Sequence, residues 1–345
     1  MNKAKKDTNA STIERGFHYQ DMVGLIEFLD NIEQATAVNV EGKDDIDLYF
    51  EDGQKYYYQA KETVNPYSKN MSQEFGKALT TLNEDIKDER TNKLIYVSNS
   101  TQPLGDAKGS VQFMPSYAFY SYKQLEPRLQ EKIQKLLDKR KDLSNIGKNI
   151  DKLYIMKISY EGADDQTKFR ELNDRVERFT EKIKLVGYKR ELTNEWQQMI
   201  TRSTEEEKKT VKKEEFYSHT MVTIMYSNKT SSKDFYDFLE TFDVAYDNEV
   251  YIKEQYEELV DKLYSDFDKV NIICEAYLNF LRTNADLKRS QRFEKFVNEY
   301  TPVLKKDMGI KSKKDDDVVK FLIWITIKSQ GCAEDIKDVI NYETD

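Results

Sequence analysis

Histidine is nearly missing from this chain: His18 and His219 are the only two in 345 residues, and neither has an obvious catalytic partner nearby in sequence. A His-rich metal cage and an HExxH helix are therefore excluded, and a Ser-His-Asp or Cys-His device would have to rest on one of these two residues. No GxxxxGK[ST] or GxGxxG run exists to cradle a phosphate. Cys274 and Cys332 lie far apart in helical-looking segments, which rules out a disulfide framework or a zinc site. No stretch of 18 apolar residues is present, so no membrane-spanning helix is expected. The opening MNKAKKDTNAST is basic but has no apolar core, and it does not read as a secretory signal. The expected setting is soluble, reducing and cytoplasmic. Chemistry, if there is any, is left to carboxylates and lysine.

What the chain does contain is charge and aromatics. Charged residues make up 34% and aromatics 12%, with 23 Tyr and 17 Phe to supply core mass, a balance that argues against wholesale disorder. The length accommodates two domains, or one large domain with an extension. The net charge of −9 is unevenly spread: residues 234–268 hold twelve Asp or Glu against two Lys, which accounts for all of it. Elsewhere basic residues cluster at Lys3/Lys5/Lys6, Lys132 to Lys141, Lys208 to Lys213 and Arg282 to Lys295. Each cluster reads first as a solvated helix face, but the overall acidity does not exclude a nucleic-acid partner.

In chain order, Ser11 and Glu14 have the spacing of a capping box. A helix follows with Tyr19, Met22, Val23, Ile26, Leu29 and Ile32 on one face and Gln20 beside it. Residues 38–63 (VNVEGKDDIDLYFEDGQKYYYQAKET) read as three short strands, the last two joined as a hairpin by Glu51-Asp52-Gly53. A Ser72-capped helix with Phe75, Leu79, Leu82 and Ile86 comes next, then an apolar strand over 93–98. Residues 99–122 read as a loop closing with an aromatic run. A helix over 125–143, a strand over 152–160, helices over 169–186 and 192–200, and a solvated helix or linker over 204–215 complete the first part. A partly helical apolar stretch over 216–225 leads to a soft boundary at Ser227 to Ser232, which gives domains 1–228 and 229–345. Beyond it, helices are expected over 234–242, 252–281, 293–300 and 318–328.

Strand alternation puts Gln59 and Lys61 on one face, and Asp45 and Asp47 on one face of the neighbouring strand. Pairing the two strands gathers carboxylates, an amide and an ammonium in one patch. Phosphodiester hydrolysis needs such a set: a metal to polarise phosphate and activate water, and a cation beside the developing negative charge. Mg²⁺ prefers hard oxygen ligands and usually keeps several waters. On its own, a Gln-x-Lys strand end is an ordinary polar terminus, and an acidic cluster is an ordinary solvated turn.

The order helix-strand-strand-strand-helix-strand, with Asp45 on the second strand and Gln59-Ala60-Lys61 on the third, resembles the PD-(D/E)xK nuclease superfamily. It is most similar to the Mrr-like branch, in which Gln replaces the second carboxylate. GFHYQ (Gly16 to Gln20), EGKDDIDLYF and YYYQAK are together similar to the double-stranded DNA endonuclease domain of CBASS antiphage effectors and to the nuclease subunit of Lamassu systems. The resemblance covers residues 11–225, and its motifs fall within about 50 of them. It implies an α/β restriction-endonuclease-like core, a mixed sheet flanked by helices, followed here by a mainly helical C-terminal region. Carried over position by position, it makes Asp45 the principal metal ligand and gives Gln59 the usual Glu position. Ala60 contributes its carbonyl, Lys61 is the catalytic lysine, and Gln20 is the supporting polar residue of the first helix. Asp47 and Glu41 stand in reserve as ligands, because the cluster offers several carboxylates; Mrr-like chains more often place the acid after Gly-Ile, which would select Asp47. No Pro precedes the acid, so the nominal "PD" is absent.

The same resemblance implies Mg²⁺ (or Mn²⁺) as cofactor and double-stranded DNA as substrate. CBASS effectors of this kind append an α/β nucleotide-sensing domain, SAVED. Residues 230–345 read as helical and too short for it, which points to control by partners as in Lamassu: an SMC-like ATPase, a small accessory subunit and homo-oligomerisation, with no membrane involvement. Two other readings stay open: a catalytically inert nuclease-like scaffold that binds DNA or subunits, and a helical adaptor in which the 38–63 strands do not converge.

Overall fold

The computed structural model describes residues 10–341, apart from 69–70, 163, 206–209, 228–232, 265–266 and 285–286. Two compact units emerge, one of Met1–Phe179 with Trp196–Lys213 and the other of Thr180–Glu195 with Glu214–Asp345. The boundary expected at 228–229 falls on residues outside the described ones.

In the first unit, helix α1 (Ala10–Asp30) leads into strands β1 (Ala35–Val40), β2 (Ile46–Phe50) and β3 (Lys55–Lys61). Helix α2 (Met71–Asp85) then crosses to β4 (Thr91–Ser98), which lies parallel to β3, the connection a parallel pair requires. After β5 (Tyr117–Ser121) come α3 (Pro127–Lys139), α4 (Ser144–Lys148) and β6 (Leu153–Ile158). Short α5 (Asp165–Lys168), α6 (Arg170–Lys182), α7 (Lys189–Glu205) and β7 (Thr210–Lys212) follow, with the end of α6 from Thr180 and the start of α7 up to Glu195 counted in the second unit. The seven strands form one mixed sheet in the order β5-β6-β4-β3-β2-β1-β7.

The helix faces read from spacing are the ones buried. Tyr19, Val23 and Ile26 of α1 are wholly inaccessible, as are Leu79 and Leu82 of α2. Tyr57, Phe75, Leu94, Leu129 and Ile133 share one core on the α2 side of the sheet. On the other side Gly24 lets α1 approach the sheet closely; a Cβ there would stand 2.7 Å from Cγ2 of Val40. Directly below, Glu27 is fully buried and accepts a 2.8 Å hydrogen bond from the Tyr58 hydroxyl. Burial pushes its carboxyl up to about 7, against the opposing pull of Tyr58.

That shift has a sign. An unfolded Glu ionises near 4.5, whereas folded Glu27 holds its proton to about 7, so its contribution is fully present below 4.5 and is lost as pH rises through 7. The whole shift corresponds to about 3 kcal/mol. Glu27→Gln is therefore expected to flatten the fall in stability between pH 5 and pH 8, as read from urea midpoints at the two values. An equal fall in both proteins would show that Glu27 ionises freely.

Four sequence expectations are corrected. Helix α1 already runs from Ala10, so Ser11 lies inside it and does not cap it. The aromatic run after the 99–116 loop is the edge strand β5, paired antiparallel with β6 from Tyr117↔Ile158 to Ser121↔Tyr154. Tyr and Phe suit a pleated edge, but consecutive aromatics show no alternation to signal it. Within 204–215, Thr210–Lys212 pairs with β1 through Val38↔Val211; three residues with one buried apolar side chain carry no pattern. The expected helix 252–281 is two helices in the structure, as follows.

The second unit is helical. After α8 (Lys213–Ser227) and α9 (Lys233–Thr241) come α10 (Tyr246–Tyr264) and α11 (Phe267–Thr283), where continuous apolar spacing had suggested a single helix. Then follow α12 (Arg289–Asp307), α13 (Asp316–Lys328) and α14 (Gln330–Ile340), the last unforeseen. Helix α13 is the hub: Val318, Phe321, Leu322 and Ile325 are buried, and Phe321 meets the rings of Phe235, Phe238 and Tyr256. No helix among the described residues is long and apolar enough to cross a membrane.

Candidate active site

The β2–β3 hairpin turns at residues 51–54, where Gly53 takes φ 80°, a backbone region that glycine enters without a Cβ penalty. Its register sets Ile46 opposite Tyr58. One step further outward, Asp45 comes level with Gln59. Because β4 runs parallel to β3, with Lys61 opposite Ser98, the start of β2 and the carboxyl ends of β3 and β4 share one edge of the sheet.

At that edge Lys61 Nζ lies 2.8 Å from Asp45 Oδ2, and the backbone N–H of Ala60 donates to the same oxygen at 2.9 Å. The two side chains are 25% and 19% exposed, open enough for a substrate to reach. An adaptor without a shared patch would have kept Asp45 and Lys61 apart.

Gln59 and Asp47 point elsewhere. Regular strand geometry begins only at Ile46, so alternation does not extend to Asp45 and the expected common face of Asp45 and Asp47 is broken. Asp44 takes the inner position: it accepts a 3.0 Å hydrogen bond from Gln59 Nε2. Asp47 is 1% exposed and accepts longer hydrogen bonds from the Lys43 N–H at 3.3 Å and the Tyr49 hydroxyl at 3.4 Å. Asp85 of α2, also 1% exposed, pairs with Lys43 Nζ at 2.9 Å. Burial first, and then the neighbouring Asp85, hold the Asp44 carboxyl well above the usual carboxylate range. A proton retained there can bridge the two acids. Burial raises Asp47 as well.

The loop behind Lys61 is firmly tied. Arg15 of α1 meets Glu62 at 2.7 Å, and burial lifts the Glu62 carboxyl while Arg15 opposes the rise. Thr63 and Asn99 exchange two 2.8 Å hydrogen bonds, and the Pro66 carbonyl accepts from Ser100 Oγ at 2.9 Å and from the Thr101 N–H at 2.8 Å. The loops after β3 and β4 are therefore tied to each other beside Lys61.

Of the other expected site residues, Gln20 is half-buried in α1, and its Oε1 is buried with no hydrogen-bond partner. It makes no hydrogen bond to Asp45, Gln59 or Lys61. Glu41 takes a left-handed φ of 58° and donates its N–H to the Asp45 carbonyl at 2.9 Å, shaping the bend that frees Asp45 from the strand. Asp85 was missed altogether. It lies in the last turn of a helix, and the sequence holds no signal that this position faces the hairpin.

No group of three or more His, Cys, Asp or Glu side chains is placed to hold a metal ion among the described residues. Strand register brings Asp45 level with Gln59 and next to Ala60, residues that offer a carboxylate, an amide oxygen and a carbonyl, although the Gln59 amide nitrogen faces Asp44 and Ala60 shows Asp45 its N–H. Buried oxygens without hydrogen-bond partners stand on Gln20 (Oε1), Asp44 (Oδ2) and Asp47 (Oδ1). Such a set fits a hard cation that retains water, and it suits a thiophilic or imidazole-seeking metal poorly.

No protein-family model matches the chain, and no curated protein does. Among solved structures, two of the Acinetobacter baumannii Cap4 SAVED/CARF-domain containing receptor are similar. The one with the cyclic trinucleotide 2'3'3'-cAAA matches at 15% identity and a TM-score of 0.38, over 62% of this chain and 46% of that one. The other matches at 15% identity and 0.37, over 62% and 47%. This chain spans less than half the length of the receptors it matches, and a likeness at that level assigns neither family nor activity.

Proposed function

We propose that this chain is a metal-dependent endonuclease that hydrolyses phosphodiester bonds of double-stranded DNA, an effector of bacterial antiphage defence controlled by partner subunits and oligomerisation. One observation carries the reading: Lys61 and Asp45, 16 residues apart, meet at 2.8 Å on an accessible sheet edge, with Gln59 two residues before Lys61 on the same strand. Asp45, Gln59 and the Ala60 carbonyl would hold Mg²⁺ (or Mn²⁺), with Gln20 and the deeper acids behind them. When bound, the cation supplies charge to polarise the phosphate and to lower the pKa of water.

The protein's own part is positional. The Ala60 N–H holds the Asp45 carboxylate, and Asp45 in turn fixes the Lys61 ammonium, so that it reaches the edge already oriented and stands by the oxygens that gain charge as the bond breaks. Lys61 can also orient an attacking water. The tied loops keep this base rigid while a flexible duplex is bound. Cutting both strands in one encounter with one site per chain takes two copies, which makes assembly a natural point of control.

One observation favours the inert-scaffold reading as the alternative. Asp45 Oδ2 already serves both Lys61 and Ala60, and Gln59 is occupied by Asp44, so a cation has to compete for its ligands. The deciding experiment incubates the purified chain, alone and with its partner subunits, with supercoiled plasmid in Mg²⁺ or in EDTA. Nicked and linear products only with Mg²⁺ are expected. Intact plasmid under every condition, together with metal-independent DNA binding, would establish the scaffold instead.

A further inference from the structure

At the same end of the sheet as Lys61, a cavity of about 520 Å³ opens between α3 and the loop after β4. Ser72 and Leu104 form its floor, linked by a 3.3 Å hydrogen bond from Ser72 Oγ to the Leu104 carbonyl, and each follows the carboxyl end of a central strand. Its wall is one face of α3: Arg128, Lys132, Lys135 and Lys139. Spacings of four, three and four residues place these cations in a row, spanning about 16 Å along the helix axis.

Their pairing is incomplete. Arg128 binds Asp106 at 2.9 Å, and Lys135 has only a loose 3.5 Å contact with Glu131. Lys132 and Lys139 have no hydrogen-bond or ion-pair partner among the described residues. Lys132 is half-buried, and burial, together with Arg128, lowers its pKa against the pull of Asp106. Asp106 is already bound to Arg128, so the partly desolvated Lys132 ammonium is stabilised further by an anion that arrives from outside.

We propose that this face of α3 is a tracking surface for the phosphate backbone of the duplex that the edge at Asp45 and Lys61 cuts. The inference rests on the nuclease reading and extends it. Cations strung along a line suit a linear polyanion better than a compact ligand. Phosphates of one strand recur about every 3.4 Å along the duplex axis, so a row of about 16 Å spans roughly five of them. The uncompensated lysines supply counterion release, which would give binding a steep salt dependence despite a net charge of −9.

The test measures binding of a fluorescent 30-base-pair duplex to the full chain in EDTA, where no cleavage can intervene, across a salt series. Lys132→Gln/Lys139→Gln is expected to weaken binding at least tenfold and to reduce the slope of log K against log salt by about 2. Lys311→Gln/Lys313→Gln, an equal loss of charge in the second unit, is expected to leave the slope unchanged. Melting curves confirm that each variant is folded. If the wild type binds and the α3 variant binds with the same affinity and slope, the surface assignment is wrong and the nuclease reading stands. If the wild type binds no duplex and cuts none with Mg²⁺, both fail. An equal drop in the two double variants would reduce α3 to a share of overall charge and overturn the proposal.

Discussion

Alanine at position 61 is expected to lower Mg²⁺-dependent plasmid cleavage by about 10²–10³-fold, the effect of removing one preorganised cation from a developing charge. Stability should hardly change. The Lys61–Asp45 pair is partly exposed, and such pairs contribute at most about 1 kcal/mol. A single-turnover assay with enzyme in excess reads the chemical step, and a thermal melt reads the fold. The combination of a large kinetic loss with a melting temperature within a few degrees is what separates a group acting on substrate from a structural ion pair. Lys61→Arg makes the test stricter. The charge is kept, but the planar guanidinium cannot reproduce the point charge that Asp45 holds in place, so rescue is expected to be poor. Full cleavage by Lys61→Ala would end the site assignment.

The second large effect separates two acids that sequence could not rank by geometry. Asp45→Asn should abolish cleavage to a similar degree, because the accessible carboxylate at the edge becomes a neutral amide. Asp47→Asn should leave most activity and should raise stability, since burial already disfavours the charged form of Asp47 and an amide keeps its shape. The measurement is a pair of cleavage rates beside a pair of urea midpoints. If Asp47→Asn is the inactive variant and Asp45→Asn cuts normally, the metal ligand is the buried acid and the edge pair is structural. That outcome would also assign the buried Asp44, Asp47 and Asp85 group a catalytic role.

Much of this was legible in the residues because hairpins are local. The turn at Glu51-Asp52-Gly53 fixes the register, and register alone brings Asp45 level with the end of β3. Helix faces were legible too, since spacing of three and four residues is the imprint of burial on α1 and α2. What remained hidden depended on partners distant in sequence. Strand β7 is a strand only because β1 offers it an edge, and Asp85 is a site neighbour only because α2 packs across the hairpin. The alternation rule failed at Asp45 for a local reason, however. The left-handed residue at Glu41 and the bend after it delay the start of β2 to Ile46, which turns Asp44 toward Gln59 and leaves Asp45 to meet Lys61.

The closure of β1 by β7 also sets an order of events during synthesis. The hairpin that holds Asp45 and Lys61 can form within about 1–10 μs once it has emerged. Its outer neighbour β1, ATAVNV, carries no charge to discourage pairing with other chains, and its cover lies some 170 residues downstream at Thr210–Lys212. At roughly 5–20 residues per second, a ribosome leaves that edge open for about 10–30 s. During this interval the strand that supports the site is a template for any passing strand. A three-residue edge element with almost no pattern of its own thus has a protective task, set by when it arrives.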